Sequence, residues 1–482
     1  MPGWLRDVSP ILMLLAVIGL VLWRLPKVDD LGHSDAFRKR RFFNWFPLGM
    51  TYAFLYFGRY NIIYATSALG IDNASFGTIF GVGTLVYAVS FLINGPLTDK
   101  LGGRTTILLS SAGVAVANLA MGALAFGLGD GWIPPGGLVL WLSVLYGANM
   151  YFQSFGAVSI VKVNASWFHV RERGVQGGVF GILISLGIYF GYDWSRKIIK
   201  GFPDAPYWAF WVPALILVGM FGVGLLLIRD TPGQAGHRDF DVGDASSSES
   251  GERLGVVQVF GKMFKNPVMV IIIAIEFCTG FLRNGVMSWY PKFSLAVGIG
   301  DDFVAKNWGM LLCVFGIVGG MFAGVISDKV FQSRRGPVVS VLYGGITVGS
   351  IVATFVLGQP WVGWVLVFMA LNYVGVHGML SGTASADFGG RKNAGVAVGI
   401  IDGFVYLGTG IQSLLIGHML PTGEAAKDPA NWLFWTGVMI PVAIVGLILC
   451  ARVWNAKPTS RSGTGTVTAL PTVAAAGVAK AG

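Results

Sequence analysis

The sequence has 482 residues, of which 54% are apolar and only 12% are charged. Because an average soluble domain carries about 25% charged residues, this composition excludes a soluble globular protein and predicts an integral membrane protein. The formal net charge of +10 indicates no nucleic-acid partner, since the basic residues fall in short loops between apolar segments, where positive charge marks the cytoplasmic side.

Thirteen apolar segments predict thirteen membrane-spanning helices, because a helix needs about 20 apolar residues to cross the hydrocarbon core. The first segment, residues 10–23, is short and is followed by a basic stretch. We expect it to be an extra helix that is retained as a peripheral anchor. The other twelve spans are predicted at about residues 44–66, 76–93, 105–127, 138–163, 175–193, 208–228, 267–291, 307–326, 337–357, 361–381, 394–418 and 433–452.

The spans divide the chain into regions. Residues 1–41 hold the extra helix and a basic linker, and residues 42–228 and 267–453 each hold six core spans. Residues 229–266 are polar and rich in Gly, Ser and Asp, which predicts a cytoplasmic linker between two six-helix halves. Residues 454–482 predict a disordered cytoplasmic tail.

Two core spans contain an arginine far from their ends, Arg59 in the first half and Arg283 in the second. A charge at that depth costs about 3 kcal/mol on insertion scales, so such residues tend to face a water-filled cavity or a partner and to mark a substrate path. Glu276 precedes Arg283 by seven residues, which is close to two helical turns and places both on nearly the same face. A buried structural ion pair is the alternative.

Polar side chains near these spans are the next candidates for substrate contacts. Tyr56, Tyr60 and Asn61 flank the first arginine and would bring hydroxyl and amide groups to a wet cavity. Asn149 and Gln153 are four residues apart, so they share a helix face and are suited to hydrogen-bond a substrate hydroxyl or phosphate oxygen. Amides of this kind also bridge helices in membrane bundles, and both interpretations remain open.

Three markers recur in the same order at a nearly constant spacing of about half the chain, which predicts an internal duplication. They are the intramembrane arginine, a turn that carries Asp-Lys, and a later basic turn. The Asp-Lys turns contain Asp99 and Arg104 in the first half and Asp328 and Arg335 in the second. We expect these four residues to form gating contacts that stabilise one conformation. Because both turns are cytoplasmic, the repeats are parallel and related by a pseudo-two-fold axis along the membrane normal.

This duplication predicts an all-α membrane protein of two six-helix bundles that rock about a binding site at the midplane. Arg59 and Arg283 would then face each other across one cavity. Two guanidinium groups repel each other without an anion, whereas a phosphate-like dianion satisfies both by bidentate hydrogen bonds. The predicted partners are therefore a small anionic substrate, either a phosphate ester or inorganic phosphate, and the lipid bilayer.

Three more ionisable residues lie in spans of the second half, Glu276, His377 and Asp402. Either carboxylate would neutralise an arginine when the site is empty, or carry a coupling proton. His377 would respond to protons because histidine titrates near physiological pH. A satisfied polar core histidine is the alternative.

Enzyme signatures are missing from the sequence. It has no GxxxxGK[ST] phosphate-binding loop, no cluster with metal-ligand spacing and no paired carboxylates in one segment. Its three cysteines, Cys278, Cys313 and Cys450, all lie in apolar spans, which indicates neither a disulfide framework nor a metal site. We predict no enzymatic activity, no cofactor and no metal.

The turns GPLTDKLGGR and GVISDKVFQSRR resemble the signature of the major facilitator superfamily. Within it, LYFGRYN, LRNGVMSWYPKF, NMYFQSFG, WFHVRERG and SADFGGRKNAGVAVGIIDG look like the organophosphate:phosphate antiporter family, over roughly residues 42–453. The resemblance implies the major facilitator fold and exchange of inorganic phosphate for glycerol 3-phosphate, hexose 6-phosphate or phosphoglycerate. It assigns phosphate binding to Arg59 and Arg283.

The chain departs from the pattern of glycerol-3-phosphate transporters at several positions. Tyr60 replaces the lysine that follows their first arginine, and Ile184 stands where their fifth-helix histidine falls. Glu276 stands where they have an uncharged residue. These changes leave the two arginines intact and point away from glycerol 3-phosphate itself.

We therefore predict a secondary active transporter that exchanges a small organophosphate for inorganic phosphate by alternating access. We expect it in the cell inner (plasma) membrane, with a monomer as the working assumption. Two alternatives remain open, a membrane receptor for sugar phosphates and a proton-coupled symporter of an organic anion.

Overall fold

The computed structural model describes residues 12–20, 23, 32–129, 131, 137–169, 172–242, 256–331, 335–380 and 394–455. Within these ranges the regular secondary structure is helical throughout. Nine of the helices found there are long and apolar enough to cross a membrane. The predicted all-α membrane class is therefore confirmed.

Twelve long helices occupy the positions of the twelve predicted core spans. In the first half, α1 to α6 span Asp35–Ala68, Asn73–Leu101, Gly103–Gly129, Leu138–Trp167, Arg173–Tyr189 and Trp208–Leu227. In the second half, α7 to α12 span Pro267–Ala296, Trp308–Lys329, Arg335–Phe355, Val362–His377, Ala394–Met419 and Leu433–Arg452. Most ends lie within a few residues of the prediction, but α1 begins earlier because the basic segment before the span is helical too.

Capping side chains fix where several of these helices begin. Ser34 precedes α1 and Asp72 precedes α2, and each side chain accepts a backbone N–H of the first turn, at 3.2 and 2.7 Å. Asn266 does the same for α7 at 3.0 Å, and Pro267 follows it at the first helical position, where a missing N–H costs nothing. These local signals place the start of the helices that carry the two arginines.

The predicted spans at about residues 175–193 and 208–228 leave the residues between them as a connecting loop, but the structure differs there. The chain instead continues through a π-helical turn, Phe190–Trp194, and a short helix, Ser195–Gly201. Asp193 and Arg196 are buried there, so the polar residues that indicated a loop point into the protein. Single π-helical turns inside α-helices occur often at functional sites.

The predicted linker, residues 229–266, also contains more structure than its composition indicates. Its last part forms a helix, Val256–Lys265, which we name the linker helix. Val259 and Met263 are buried, whereas Lys262 and Lys265 are exposed, so this helix is amphipathic. Residues 243–255 lie outside the described ranges.

The predicted extra helix at residues 10–23 is described only in part. Residues 12–20 are helical. Leu14 is buried against the core, while Leu15 and Leu20 are exposed. The flanking residues, and the predicted tail beyond residue 455, lie outside the described part of the chain.

The two halves meet most closely where α2 crosses α11. A Cβ added at Gly77 would lie 2.5 Å from the Ser413 carbonyl oxygen, and one at Gly417 would lie 2.7 Å from the Gly77 Cα. Glycine on both sides therefore lets the two backbones touch, as is common at membrane helix interfaces. The amide of Asn73, at the start of α2, donates to the Pro421 carbonyl oxygen at 2.8 Å, just beyond α11.

The outward surface of the core is apolar. Several large hydrophobic side chains of the spans are more than half exposed, among them Val116, Leu140, Leu226 and Phe355. A soluble monomer does not expose so much apolar surface along continuous helices. These side chains are positioned to face lipid.

Candidate functional site

Arg59, on α1, is a fully enclosed cation at the centre of the helical core. Its side chain is 1% exposed. Nε donates to Gln153 Oε1 at 2.7 Å, and one terminal nitrogen donates to the Tyr406 hydroxyl at 3.0 Å. The other terminal nitrogen is buried and has no hydrogen-bond partner among the described residues. Because buried polar groups are normally paired, this N–H is available to an anion.

Tyrosine rings enclose the same guanidinium group. Its carbon lies 4.6 Å from the ring centre of Tyr56 and 4.5 Å from that of Tyr87. The Tyr406 ring lies 5.7 Å away. Cation–π contacts of this kind stabilise a buried cation without adding negative charge, so the arginine keeps its full charge for a ligand.

Tyr406, on α11, lies between the two predicted arginines. The guanidinium carbon of Arg283, on α7, is 5.6 Å from the centre of the same ring that Arg59 approaches. The structure therefore brings both arginines within 6 Å of the centre of one phenol ring. Tyr406 and Tyr87 were not among the residues predicted from the sequence, because nothing local marks a tyrosine in an apolar helix as part of a site.

Gln153 and Asn149, on α4, form a chain of amides behind Arg59. Gln153 Nε2 donates to Asn149 Oδ1 at 3.1 Å, and Asn149 Nδ2 donates to the Gly58 carbonyl oxygen at 2.8 Å. Asn149 thus ties α4 to α1, which is the helix-bridging interpretation. Gln153 holds the arginine side chain in place.

Asn61 lies away from the arginines, in contrast to the expectation that it lines the cavity. It is fully buried, and its amide donates to Asn118 Oδ1 at 2.7 Å and to the Ala209 carbonyl oxygen at 3.0 Å. Two residues along a helix turn the side chain by about 200°, so Asn61 faces α3 and α6. Tyr60 stacks on Tyr192 of the π-helical turn, with 5.0 Å between ring centres.

A second cluster of ionisable groups lies on the same helix as Arg283. Glu276 is fully buried, and its Oε2 lies 3.2 Å from His377 Nδ1 on α10. His377 also interacts electrostatically with Asp402 of α11 and with Arg283. The structure therefore brings together all three residues that the sequence suggested for charge compensation or coupling.

The residues predicted to gate lie apart from this cavity. Asp99 accepts a hydrogen bond from Lys162 at 2.6 Å. The Arg104 backbone N–H donates to Asp230 at 2.7 Å. Arg335 is the first residue of α9, and Asp328 lies within α8, although its side chain is outside the description. Their gating role stays a prediction.

Six residues join the two halves at the end of the spans opposite the basic turns, and we name this group the external clasp. The Asp193 carboxylate accepts the backbone N–H groups of Gly309 and Met310, at 2.7 and 3.0 Å, at the start of α8. Arg196 donates to Asp301 Oδ1 at 2.8 Å. Lys200 reinforces the last pair.

The Asp301 carboxyl group titrates outside the neutral range. Hydrogen bonds from Lys200 and Arg196 lower its pKa, whereas the unfolded value is about 3.9. A lowered folded pKa stabilises the contact above the unfolded pKa, and this contribution is lost only as the pH falls through the folded value. The contact of Asp301 with Arg196 and Lys200 is therefore intact at neutral pH.

A further contact between the halves involves a buried lysine. Lys292, on α7, is 4% exposed. Its ammonium group donates to Ser67 Oγ at 3.2 Å and lies 4.2 Å from the centre of the Phe76 ring. This contact joins α7 to the end of α1 and the start of α2, on the same side as the external clasp.

No group of three or more His, Cys, Asp or Glu side chains within the described ranges is arranged to hold a metal ion. The ionisable groups that the structure brings together are instead Arg59 and Arg283, the buried Glu276, and the partly buried His377 and Asp402.

Comparison with known proteins gives a match to a family model and to curated relatives. The model of the Major Facilitator Superfamily matches residues 41–413. The chain is 23% identical to the glycerol-3-phosphate transporter of Bacillus subtilis (strain 168) over 456 residues, which covers 89% of this chain and 96% of that protein. It is 24% identical to the probable hexose phosphate transport protein of Chlamydia pneumoniae, covering 87% and 91%.

Another relative bears a different description. The chain is 23% identical to the membrane sensor protein UhpC of Salmonella typhimurium, covering 87% of this chain and 92% of that one. The two transporter names and this full-length coverage confirm the resemblance to the organophosphate group that the motifs indicated. These relatives are described as transporters or a sensor, which agrees with the prediction that the chain is not an enzyme.

Solved structures agree at the level of the fold. A bacterial homolog of the human lysosomal transporter Spinster, in an inward-facing and unoccupied conformation, has a TM-score of 0.65 at 12% identity and covers 88% of this chain and 97% of that one. The xylose transporter XylE from E. coli has a TM-score of 0.60 at 14% identity, covering 86% and 97%. The family model matches most of the chain, and the twelve core helices and the solved structures agree with it. The chain therefore belongs to the Major Facilitator Superfamily.

Proposed function

We propose that this protein is a secondary active transporter that exchanges a small organophosphate for inorganic phosphate by alternating access. The observation that carries the proposal is the approach of Arg59 and Arg283, one from each half, to the single ring of Tyr406. The names of two relatives, a glycerol-3-phosphate transporter and a probable hexose phosphate transport protein, support the choice of a phosphate ester.

The charge and the donors at this point suit a phosphate group. Arg59 already has a buried N–H without a partner among the described residues. Its bond to the Tyr406 hydroxyl has an uncharged acceptor, and an anionic phosphate oxygen would replace that acceptor with a stronger one. A dianion that also reaches Arg283 would relieve the repulsion between the two guanidinium groups and would bind both halves at once.

Binding to both halves is what exchange by alternating access requires. The contacts of the external clasp, of Lys292 with Ser67 and of α2 with α11 all join the halves at one end. We propose that these contacts open and close on the external side as the halves rock about the bound anion. We further propose that residues 42–228 and 267–453 are the rocking bundles, that 229–266 links them, and that the protein acts as a monomer in the inner membrane.

Exchange of labelled phosphate tests this function directly. Purified protein is placed in liposomes loaded with unlabelled inorganic phosphate, labelled phosphate is added outside, and phosphate esters and carboxylates compete. We expect exchange that particular esters block. We expect Arg59→Lys and Arg283→Lys to lower it more than about tenfold, because each loses bidentate bonds to a charged group, worth about 1.5–3 kcal/mol.

The matched control is Arg238→Lys, an exposed arginine in the segment after α6, which should exchange like wild type. Wild-type exchange by both site variants would refute the role of the arginines. Folded protein that binds phosphate without exchanging it would instead favour a membrane sensor, the description that one relative carries.

A further inference from the structure

Glu276 is a buried carboxylate about two helical turns before Arg283 on α7. The binding of an anion by arginines does not by itself require such a group. Glu276 is fully buried on α7. Its Oε2 lies 3.2 Å from His377 Nδ1, and its Oε1 has no hydrogen-bond partner among the described residues. A buried carboxylate that is only partly satisfied is costly, so a structural role alone explains it poorly.

The titratable groups near this carboxylate lie on the same helix and on four others. Arg283 on α7, Tyr343 on α9, His377 on α10 and Cys450 on α12 interact with it electrostatically. Asp402 and Tyr406 on α11 and Cys278 on α7 interact with these neighbours.

The site brings together two arginines, Arg59 and Arg283, the carboxyl groups of Glu276 and Asp402, and His377. If both carboxyl groups are ionised and His377 is neutral, these charges sum to zero before an anion binds. A phosphate dianion that entered this cavity unaccompanied would leave two uncompensated negative charges in the low-dielectric core. Such an imbalance is expensive in a membrane protein and is normally relieved by protonation.

The geometry identifies the pair that is placed to take the proton. The His377 side chain is 28% exposed, whereas that of Glu276 is 0% exposed, so His377 is the member of the pair that solvent can reach. A proton bound there is shared between two groups within hydrogen-bonding reach.

We propose that the Glu276–His377 pair is a proton-binding site, so that entry of a phosphate dianion is accompanied by uptake of a proton from the same side of the membrane. The proton leaves water, binds the pair while the anion occupies the two arginines, and returns to water when the anion leaves. This inference rests on the proposed function, since it needs an anion at Arg59 and Arg283. It adds that the exchange is sensitive to a pH gradient.

Calorimetric titration measures the proton directly. Inorganic phosphate is titrated into purified protein at about pH 8, where its dianion is the main form in solution, in two buffers with different ionisation enthalpies. The difference in binding enthalpy gives the number of protons taken up with the anion. We expect about one proton for wild type and close to none for Glu276→Gln, in which phosphate binding persists because the arginines remain.

His377→Asn serves as a second variant in case the first does not fold, and should also take up fewer protons. Glu424→Gln, an exposed glutamate in a loop beyond α11, is the matched control and should match wild type. Binding with the same proton uptake in wild type and in both site variants would overturn this inference and leave the proposed function standing. Failure of folded wild type to bind phosphate would overturn the proposed function and this inference together.

Discussion

At the scale of single residues, Arg59 is held in place by neutral partners. Gln153, Tyr406 and the rings of Tyr56 and Tyr87 fix the guanidinium group without neutralising it. In a membrane protein a structural arginine is usually paired with a carboxylate, yet the nearest hydrogen-bonding side chains here are an amide and a phenol. Because these partners are uncharged, the guanidinium group keeps its positive charge and can bind and release an anion.

A substitution at Gln153 tests whether phosphate binding needs an uncharged partner beside Arg59. Gln153→Glu keeps the shape of the side chain but places a carboxylate against Arg59 Nε. A buried ion pair would then form where phosphate is expected to bind, and the added negative charge would oppose the anion. We expect the Kd for inorganic phosphate to rise more than about tenfold, since hydrogen bonds to charged groups are worth about 1.5–3 kcal/mol.

The matched control is Gln359→Glu, an exposed glutamine in the connection between α9 and α10. It adds the same charge away from the cavity and should leave phosphate affinity unchanged. Equal affinities for wild type and the Gln153 variant would show that this guanidinium group does not bind the phosphate.

The sequence predicted the arginines but not their partners. A lone arginine in an apolar span is visible because its cost demands an explanation. Tyr406 is 347 residues away from Arg59 along the chain, and tyrosine is common in membrane helices. Asn61 shows that closeness in sequence can mislead. It is only two residues from Arg59, yet its side chain points to the opposite side of the helix.

At the scale of helices, the π-helical turn that follows α5 positions a contact between the two halves. It turns Asp193 toward the start of α8, where the carboxylate accepts two backbone N–H groups. Free N–H groups at a helix start carry partial positive charge, which a carboxylate stabilises. Gly309 allows this contact, since a Cβ there would lie 2.9 Å from Asp193 Oδ1.

Removing that carboxylate should loosen the external end. We expect Asp193→Ala to leave both N–H groups of α8 without their acceptor and to favour conformations in which α5 and α8 separate. Cys313, one turn further along α8, is fully buried in the present conformation. Its labelling by a membrane-impermeant maleimide from the external side should rise several-fold when Cys278 and Cys450 are replaced by serine in all variants.

Asp193→Asn keeps one acceptor oxygen and should give intermediate labelling. Asp204→Ala changes an exposed aspartate in the nearby loop and is the matched control, with wild-type labelling expected. Unchanged labelling in Asp193→Ala would mean that the external clasp does not hold the two halves together.

Helix positions could be predicted well because hydrophobic length, Pro and capping residues are local signals. The structure after α5 could not be predicted in this way. Its polar residues, Asp193, Arg196 and Lys200, are typical of a solvated loop, and their partners lie on the other half of the protein. The linker helix was missed for a similar reason. Its apolar face is short and becomes meaningful only against the buried surface that Val259 and Met263 contact.

At the scale of the whole molecule, the internal duplication explains why one cavity receives an arginine from each half. The repeat in the sequence predicted that α1 and α7 are equivalent, and the structure brings Arg59 and Arg283 to one ring. The duplication does not predict Glu276, which has no charged counterpart seven residues before Arg59. That asymmetry places the proposed proton site in the second half alone.

The close crossing of α2 and α11 gives a prediction for the whole transport cycle. Gly417→Ala would place a Cβ 2.7 Å from the Gly77 Cα and 2.8 Å from the Asn73 carbonyl oxygen, and helix backbones cannot yield cheaply at such distances. We expect the variant to resist closure on the external side, so that phosphate exchange falls more than about tenfold while external labelling of Cys313 rises. Gly399→Ala, on the same helix with no atom within 4 Å of the added Cβ, is the control. Wild-type exchange by Gly417→Ala would show that the cycle does not require these two backbones to touch.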